Sequence, residues 1–400
     1  MKILYVTKAL IAPPHAGCMQ RTVHIARQLK PCGQVTMLAV NRQFDSDSVN
    51  LCRQEFSRFD QILLRSYTDF PKRRGELLRK FHMHWPTLCG IRADRQGQAL
   101  FETLAAQHEV IWFHTLGAAQ PFSLPRTARM VMDLDDLNHC KYEQSARIQT
   151  TLRFRLSAHV QSYKWKRLER EALERYAAVV VCSEQDKQLL GGGDKIVVVP
   201  NGFTLPAEKP TCRQADPLRV GFISHLAYGP NRDGLVWFRD RVWPLIRRKQ
   251  PNMRLRIVGR VPSNNDLVRA EGFEYLGYID DPAEEIQRWS AMIVPIPYGG
   301  GTRIKILDAF SKCCPVVSTS IGAYGIQGEH GRHFLLADEP QQFAEYCLML
   351  SDQPERGHQL ADEAWTLFCE KYTWDKIGRS IIAAAETVAK TPSTDVTDKP

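Results

Sequence analysis

Three consecutive glycines followed by two basic residues form the segment of this chain best suited to chemistry. The run Gly299-Gly300-Gly301 follows an apolar segment, residues 291–296, that predicts a buried strand. Glycines let the backbone turn tightly and approach a ligand, and the next residue, Thr302, is a good N-cap for a helix. Arg303 and Lys305 follow in the first helical turn. Because cations oppose the helix dipole there, we predict that they bind a phosphate or diphosphate; the alternative is a turn with solvated basic residues.

A carboxylate on the same helix is placed to take part in this site. Asp308 follows Lys305 by three residues, and helical side chains lean toward the N-terminus of their helix. We therefore expect the Asp308 carboxylate to point back toward the bound ligand. The alternative is an i,i+3 ion pair with Lys305.

The first half of the chain offers a histidine and a group of acids at the ends of two apolar runs. His114 follows the run 110–113, and Asp133, Asp135 and Asp136 close the next one. Three acids so close together repel one another, which favours a functional role for at least one, as a ligand of hydroxyl groups or of Arg side chains. His114 lies where a ligand-facing residue would lie, and its alternative is a hydrogen-bonded structural histidine.

Strands and helices alternate along the chain and would position these residues. Strands are predicted at Lys2–Thr7, Gln34–Val40, Ile62–Leu64, Glu109–Phe113, Arg129–Asp133, Ala177–Cys182, Leu218–Ile223, Arg254–Val258, Phe273–Leu276, Ala291–Ile296, Pro315–Ser318 and Phe334–Leu336. Helical patterns include Gln20–Lys30, Gln96–Gln107 and Gln161–Arg175, and the Pro-punctuated segment 200–217 is typical of a linker. This alternation predicts two parallel sheets covered by helices, with ligands beyond the carboxyl ends of the strands.

Charge is distributed unevenly between the two halves. The first 200 residues carry 29 Lys and Arg against 19 Asp and Glu, whereas the last 200 carry 24 against 25. A basic half is suited to an anionic membrane surface, a phosphorylated lipid or a nucleic acid, and the alternative is a solvated surface.

Other motif classes are missing from the sequence. The eleven cysteines form no CxxC pair, which is typical of reduced thiols in a cytosolic protein. No window approaches the length of a membrane-spanning helix, and no HExxH or Cys/His cluster predicts a metal site. No GxGxxG follows the first strand and no GxxxxGK[ST] occurs, so neither a dinucleotide cofactor nor a nucleoside triphosphatase is predicted.

Several motifs of the second half resemble those of retaining GT-B glycosyltransferases of family 4, the glycosyl transferases group 1. The matching motifs, in the family's order, are Val199–Phe203, Gly229–Gly234, Ile257–Gly259, Leu276–Asp281, Gly299–Asp308, Pro315–Thr319 and Tyr372–Trp374. The first half is similar more loosely, through its opening strand, the segment Pro13–Gly17 and the helix that follows.

The resemblance implies an α/β fold of the GT-B type, in which two Rossmann-like domains have parallel sheets facing each other across a cleft. It implies an acceptor domain at 1–205 and a nucleotide-sugar donor domain at 206–372. A C-terminal helix at 373–390 would cross back to the N-terminal domain, followed by a disordered tail at 391–400.

The resemblance also implies roles for individual residues. The family places a carboxylate on the ribose hydroxyls at the position of Asp308, and the loop Gly299–Thr302 together with Arg303 and Lys305 would hold the diphosphate. Two positions depart from the family pattern: Gly300 stands where the first acid of a glutamate pair is common, and Asn231 stands in the slot of a donor-loop lysine. Arg303 and Lys305 would then carry the diphosphate charge alone.

Further contacts are implied at the edges of the site. Gly17, Asn231 and Tyr278 would contact the donor, and His114 would take part in catalysis near the sugar. Asp135 and Asp136 would bind the acceptor.

The sequence therefore predicts a cytoplasmic glycosyltransferase that moves a sugar from a nucleotide-sugar donor to an acceptor hydroxyl with retention of configuration. The predicted context is cell-surface polysaccharide or glycolipid synthesis, with no cofactor, no metal and no nucleic-acid partner. The alternatives are a nucleotide-sugar epimerase or hydrolase on the same fold and a non-catalytic anion-binding protein of the membrane surface.

The basic first half predicts the kind of acceptor. Its runs Lys72–Lys80 and Arg147–Arg175 contain or adjoin four aromatic residues, Trp85, Phe154, Tyr163 and Trp165. Because interfacial surfaces combine cations with aromatic side chains, we predict a saccharide acceptor linked to lipid, with the enzyme peripheral on the cytoplasmic membrane face.

Overall fold

The computed structural model describes residues 1–8, 17–41, 43–44, 46–64, 92–124, 129–148, 151–210, 215–261 and 266–391. These residues form two compact units. The first comprises Met1–Pro200 and the chain from Ile377 onward, and the second comprises Asn201–Lys376. Residues 392–400 of the predicted tail 391–400, the segment Pro13–Ala16 and the run Lys72–Lys80 with Trp85 lie outside the described residues.

The first unit contains a seven-stranded sheet in which every pairing is parallel. Its strands are β1 (Lys2–Thr7), β2 (Gln34–Asn41), β3 (Arg58–Leu63), β4 (Val110–His114), β5 (Met130–Asp133), β6 (Ala178–Val181) and β7 (Ile196–Val198). They are arranged in the order β3-β2-β1-β4-β5-β6-β7. The central strands are short apolar runs buried on both faces, as expected for parallel strands covered by helices.

Helices connect these strands and cover the sheet. They are α1 (Gly17–Leu29), α2 (Ser46–Glu55), α3 (Arg95–Gln107), α4 (Leu116–Ala119), α5 (Asn138–Ile148), α6 (Leu152–Arg175) and α7 (Glu184–Leu189). Phe101 and Leu104 of α3 join Leu4 and Val6 of β1 in one apolar core. The last helix of the chain, α14 (Trp374–Lys390), also belongs to this unit from Ile377 onward.

The second unit has a six-stranded sheet, again with parallel pairing throughout. Its strands are β8 (Asp216–Ile223), β9 (Arg254–Val258), β10 (Phe273–Gly277), β11 (Trp289–Val294), β12 (Val316–Ser318) and β13 (Leu335–Leu336), in the order β10-β9-β8-β11-β12-β13. Its helices are α8 (Gly229–Trp237), α9 (Trp243–Lys249), α10 (Ala283–Ile286), α11 (Ile304–Ser311), α12 (Pro340–Asp352) and α13 (Pro354–Lys371). A short π-helical turn, Phe238–Val242, joins α8 to α9.

In both sheets the chain first adds strands on one side of the first strand of the unit and then adds the later strands on its other side. This change of side lies between β1 and β4 in the first unit and between β8 and β11 in the second. Loops that leave neighbouring strands there diverge to opposite faces and open a crevice at the carboxyl edge of the sheet. The predicted site residues on the loops after β4 and β11 therefore lie beside these two crevices.

One predicted helix differs in length from the structure. The pattern predicted a helix at Gln161–Arg175, but α6 begins at Leu152. Residues 151–157 are all exposed, so the first two turns of α6 contribute nothing to the core-facing stripe on which the prediction rested. Trp165, which was assigned to an interfacial surface, is instead buried in the core of the first unit.

Candidate functional site

The glycine run forms the loop between β11 and α11. Gly299 has φ +140° and Gly301 has φ +71°, which are conformations that residues with a Cβ rarely adopt. The helix begins at Ile304 with Arg303 as its N-cap residue, and no side chain caps it. The prediction that Thr302 is the N-cap is therefore wrong. Thr302 is buried in the loop, and its carbonyl accepts a hydrogen bond from Asn201 Nδ2 at 3.5 Å.

The side chain of Arg303 folds back over this loop. Its NH1 donates to the carbonyl oxygen of Gly300 at 2.7 Å. A Cβ at position 299 would lie only 2.3 Å from Arg303 NH2, so no larger residue fits there without moving the guanidinium. The glycines thus make room for a cation against the backbone.

The guanidinium of Arg303 is only partly satisfied. Its Nε and NH2 atoms are buried and form no hydrogen bond with any residue that the structure describes. Burying a charged donor without a partner costs on the order of 1–3 kcal/mol or more. Such a cost is recovered when an anion binds, so the two nitrogen atoms mark a site for a phosphate-like group.

Lys305 provides a second cation beside Arg303. Its Nζ donates to Asn231 Oδ1 at 2.9 Å and lies 4.9 Å from the centre of the Phe222 ring. Burial of the ammonium, and secondarily the nearby charge of Arg303, lowers the pKa of Lys305 to about 7. The group therefore exists as a mixture of charged and neutral forms near neutral pH, and an anion would shift it to the charged form.

Asp308 is buried on the same helix, one turn beyond Lys305. Its carboxylate forms an ion pair with Lys312, four residues along the chain, and not the i,i+3 pair with Lys305 that was considered from the sequence. Lys312 Nζ in turn lies 4.8 Å from the centre of the Phe203 ring. Burial raises the pKa of Asp308, and Lys312 opposes that shift. The ion pair holds a carboxylate inside the unit, close to the helix that carries the two cations.

The remaining second-unit residues are distributed around the crevice. Asn231 lies in the first turn of α8, and its Nδ2 donates to the carbonyl of His225 at 3.1 Å, which orients its Oδ1 toward Lys305. Tyr278 follows β10 and is 42% exposed, with the guanidinium of Arg260 4.9 Å from its ring centre. The structure therefore joins Asn231 to the cation pair, whereas Tyr278 lies on the loop after the edge strand β10.

A second polar cluster lies at the carboxyl edge of the first unit's sheet. Thr7, His114 and Asp133 end β1, β4 and β5, and the register pairs Thr7 with His114 and His114 with Asp133. Arg21, on α1, binds Asp133 in a two-point ion pair, with Nε at 3.0 Å from Oδ2 and NH2 at 2.9 Å from Oδ1. Arg21 NH1 also donates to the carbonyl of Val199 at 2.9 Å. The Arg ligand that was considered for this acidic group is therefore present.

His114 is buried in this cluster. Its Nδ1 lies 3.0 Å from Thr22 Oγ1 and 3.3 Å from Thr7 Oγ1. Burial lowers the pKa of His114, although Asp133 and Asp135 oppose the shift, so the ring is neutral at pH 7. Its Nε2 is buried without a hydrogen-bond partner among the described residues, and Asp135 Oδ2 lies 4.0 Å away. Nδ1 therefore has the hydrogen bonds of a structural histidine, whereas Nε2 has no hydrogen-bond partner among the described residues.

Asp135 adopts a left-handed backbone conformation, with φ +57°. Its N–H donates to Asp133 Oδ1 at 3.1 Å, and Arg21 Nε lies 3.6 Å from its Oδ1. Non-glycine residues in this conformation occur most often at functional positions because the fold must hold them there. Asp136 is the next residue along the loop, and Gly17 is the first residue of α1.

Two contacts of these clusters were missed by sequence reasoning. Arg21 and Asp133 are 112 residues apart, and one sequence contains no signal that pairs them. Lys312 follows Asp308 at the i,i+4 spacing of a helical ion pair, so it was detectable from the sequence.

Two kinds of feature are absent from the described residues: a metal-binding cluster and a membrane-spanning helix. No group of three or more His, Cys, Asp or Glu side chains in that part of the chain is arranged to hold a metal ion. No described helix combines the length and the apolar character that crossing a membrane requires.

A family model matches most of the second unit. Residues 217–353 match the model described as glycosyl transferases group 1. The matched segment contains the glycine run, both cations, Asn231 and Asp308, and the match confirms the resemblance to this family that was predicted from the sequence.

A curated relative matches over part of its length. It is an uncharacterised 44.6 kDa protein in the cps region of Klebsiella pneumoniae, 26% identical over 224 residues. The alignment covers 52% of this chain and 58% of that relative.

Solved structures match over almost the whole chain. HepE of Anabaena, in complex with UDP and glucose, covers 97% of this chain at 16% identity with a TM-score of 0.64, and all of HepE is matched. Sucrose-phosphate synthase of Thermosynechococcus elongatus covers 97% at 15% identity with a TM-score of 0.67, with 98% of its own chain matched. A TarM mutant of S. aureus, crystallised with UDP, covers 98% at 10% identity with a TM-score of 0.66, and its whole chain is matched. These likenesses confirm the GT-B fold class predicted from the sequence.

Proposed function

We propose that this GT-B protein with a glycosyl transferases group 1 domain is a retaining glycosyltransferase, which moves a sugar from a nucleotide-sugar donor to an acceptor hydroxyl. The observation that carries the proposal is Arg303, whose buried Nε and NH2 have no partner among the described residues. Beside it lies Lys305, whose charge an anion would stabilise. A nucleoside diphosphate is the anion that this family match favours.

The donor's nucleoside would bind next to the diphosphate. Asp308 would accept hydrogen bonds from the two ribose hydroxyls, and its pairing with Lys312 would keep the carboxylate ionised for that purpose. The loop Gly299–Thr302 would contribute backbone N–H groups to the phosphates, with Gly17, Asn231 and Tyr278 as further donor contacts. The HepE and TarM structures contain UDP, so uridine diphosphate is the first nucleotide to test.

The reaction needs the leaving diphosphate to be stabilised as it departs. The bond from the sugar's anomeric carbon to the diphosphate oxygen breaks through an oxocarbenium-like state, and the acceptor oxygen bonds to the same face of that carbon. The acceptor's proton passes to the departing phosphate oxygen. Arg303 and Lys305 would stabilise the charge that develops there, in place of a metal ion.

The first unit would supply the acceptor side. The unused Nε2 of neutral His114 would donate a hydrogen bond to a sugar hydroxyl. Asp135 and Asp136 would accept from acceptor hydroxyls, with Asp135 held in place by its strained backbone. The relative from the cps region supports a role in cell-surface polysaccharide synthesis. A lipid-linked saccharide at the cytoplasmic membrane face is the acceptor that the basic first half favours.

The decisive experiment has two stages. Saturation-transfer NMR against a panel of nucleotide sugars identifies the donor, and calorimetry then gives the affinity for its nucleoside diphosphate. Incubation of that donor with saccharide acceptors in the presence of a chelator should give a product with the donor's anomeric configuration. Hydrolysis or epimerisation without transfer, or loss of activity on chelation alone, would contradict the proposal.

A further inference from the structure

Helices α5 and α6 form an antiparallel hairpin that projects from the first unit. Ser162 Oγ donates to the carbonyl of His139 at 2.9 Å, and the His139 ring pairs with Glu169, so the first turn of α5 is joined to the middle of α6. Helix α5 starts at Asn138, shortly after Asp135 and Asp136, and leads away from the carboxyl edge of the sheet. Helix α6 returns and ends just before β6.

The hairpin is too long to lie wholly on the sheet. The 24 residues of α6 span roughly 36 Å at the helical rise of about 1.5 Å per residue. The four residues of β6 span only about 13 Å. Since α6 ends at the amino edge of β6, its beginning extends beyond the carboxyl edge, on the side where His114 and Asp135 lie.

The projecting end exposes large apolar side chains. Six of the twelve large hydrophobic residues that are exposed in the described chain fall between residues 148 and 163: Ile148, Leu152, Phe154, Leu156, Val160 and Tyr163. Surface hydrophobic residues scattered singly need no explanation, but a contiguous group does. We call the exposed side chains of residues 147–148 and 151–163 the hairpin tip.

The apolar residues of the tip follow the helical repeat. Leu152, Leu156, Val160 and Tyr163 are spaced i, i+4, i+8 and i+11, which places them on one face of α6. That face points away from the core, because Ala158 and Trp165 on the opposite face are buried. Phe154 projects from the core-facing side of the helix and is nevertheless 60% exposed, since the helix there extends beyond the body of the unit.

The charges of the tip are of one sign. Between Glu143 and Glu169 the sequence contains six Lys and Arg residues and no acid. Arg153 and Arg155 flank the apolar face, and neither forms an ion pair with a described residue. Farther along α6, beyond the apolar face, Arg167 is paired with Glu171 at 2.6 Å. At the start of the tip, Arg147, beside Ile148, is paired with Glu143 at 3.0 Å. Arg153 and Arg155 are thus the cations of the tip that have no acidic partner among the described residues.

We propose that the hairpin tip is a membrane-binding element that inserts its apolar face into the surface of an anionic phospholipid bilayer. Leu152, Leu156 and Val160 would enter the interface between headgroups and acyl chains, and Arg153 and Arg155 would pair with lipid phosphates. A second copy of this chain fits the tip less well, because it would bring the same cations against each other. A bilayer supplies both the negative charge and the apolar volume.

The position of the tip bears on the acceptor, and this step rests on the proposed function. The tip projects from the same edge of the sheet as His114, Asp135 and Asp136. Insertion of the tip would therefore direct that edge toward the bilayer, where the saccharide of a lipid-linked acceptor is located. The basic run Lys72–Lys80, which was predicted to share this role, lies outside the described residues.

Flotation of the full-length protein with vesicles of equal parts phosphatidylglycerol and phosphatidylcholine tests the proposal. The wild type should float at low salt, and replacing the anionic lipid by phosphatidylcholine alone should reduce its bound fraction about tenfold. L152E/L156E should lower the bound fraction by at least an order of magnitude. The matched control Leu189→Glu, at another exposed leucine of the same unit, should bind as the wild type does. R153Q/R155Q should bind weakly and lose most of the salt dependence.

Two outcomes would overturn the proposal: wild-type protein that stays unbound at low salt, or L152E/L156E protein that floats as well as the wild type. Light scattering on the same samples separates one rival, because an L152E/L156E variant that only breaks up an oligomer would identify the tip as a contact between copies. Calorimetry with UDP on every variant keeps the two proposals apart. Retained nucleotide affinity without vesicle binding contradicts only the membrane element, whereas vesicle binding without any nucleotide affinity contradicts only the glycosyltransferase.

Discussion

The two polar clusters of this protein treat a buried arginine in opposite ways. In the first unit, Arg21 is fully buried, but its guanidinium is matched by Asp133, Asp135 and a backbone carbonyl. In the second unit, Arg303 has two buried nitrogen atoms without a partner among the described residues, and its neighbour Lys305 is also a cation. The arginine of the first cluster is therefore paired with carboxylates, whereas the arginine of the second forms no ion pair with a described residue.

This difference indicates what each cluster is suited to bind. A cluster whose single cation is already paired with two carboxylates has no electrostatic reason to attract an anion, but its Asp135 and its neutral His114 can orient hydroxyl groups. A cluster with excess positive charge is stabilised by an anion. The contrast agrees with a neutral saccharide on one unit and a diphosphate on the other, and it predicts that similar substitutions will have different consequences in the two places.

The largest effect is expected for Arg21→Met. Removing the guanidinium leaves the Asp133 carboxylate buried without its partner, which should lower the free energy of unfolding by about 3–5 kcal/mol. Denaturant unfolding of the full chain measures the change, with the transition of the first unit followed separately. The double variant R21M/D133N should recover a substantial part of the loss, because it removes the unpaired charge as well. A loss below about 1 kcal/mol in the single variant would mean that water or a rearrangement satisfies Asp133.

Arg303→Ala should show the reverse pattern. We expect a loss of about 2–4 kcal/mol in transition-state stabilisation, measured as kcat/KM for sugar transfer. Thermal stability should be unchanged or slightly higher, because the substitution removes buried donors that have no partner. Arg239→Ala, at a partly exposed arginine paired with Asp240 in the same unit, is the matched control and should keep full activity. Full activity in the Arg303→Ala protein would remove Arg303 from the proposed site.

Asp308→Asn should weaken the binding of the nucleoside diphosphate by about 1–3 kcal/mol, the range for a charged hydrogen bond. The substitution should also lower thermal stability, because it leaves the buried ammonium of Lys312 without its carboxylate. The double variant D308N/K312M should regain stability but not nucleotide affinity, as measured by calorimetry. Recovery of affinity in the double variant would mean that Asp308 acts only as the partner of Lys312.

The smallest effect concerns pH and Lys305. Since the pKa of Lys305 is about 7 in the empty site, binding a diphosphate above that pH requires the uptake of a proton. Affinity should therefore fall as pH rises, by roughly tenfold between about pH 6.5 and pH 8. Calorimetry in buffers of different ionisation enthalpy measures the proton uptake directly. Lys305→Arg, which stays charged, should bind with much less dependence on pH in this range.

The free energy of unfolding should also depend on the ionisation of Lys305, but it should rise with pH where the affinity for the diphosphate falls. The unfolded chain binds the Lys305 proton more tightly than the folded protein does, because the folded pKa is lowered from its ordinary value to about 7. The free energy of unfolding therefore gains from this group as pH rises above about 7 and stops gaining near the ordinary pKa of lysine, about 10.4. A Lys305→Met variant should lack that contribution.

Most of the fold could be predicted because buried parallel strands leave a strong signal. The strands at Lys2–Thr7 and Arg254–Val258 were predicted to the residue. The first contains an apolar run, and the second begins with arginines that alternate with buried apolar residues. The start of α6 could not be predicted in the same way. Residues 151–157 are all exposed, so the core-facing stripe from which the helix was predicted begins only farther along α6.

The candidate site was predictable where the chemistry is local. The glycine run, Arg303 and Lys305 lie within seven residues, and the structure places them in one loop and helix start. The position of the helix cap differed by one residue, because Thr302 is used by the loop through its carbonyl. Contacts between distant segments, such as Arg21 with Asp133 or Lys305 with Asn231, depend on the sheet order and required the structure.

The chain order of the two units has a consequence for how the protein is made. The first unit is discontinuous, because Ile377, Ile381, Ala385 and Val388 of its last helix are buried but are synthesised after the whole second unit. This helix lies against α1, where a Cβ on Gly378 would be 2.2 Å from Gln28 Oε1. At about 5–20 residues per second, the ribosome needs roughly 10–40 s to supply it after Pro200. The uninterrupted second unit can finish folding first, while the N-terminal unit keeps an apolar groove that chaperones must protect until translation ends.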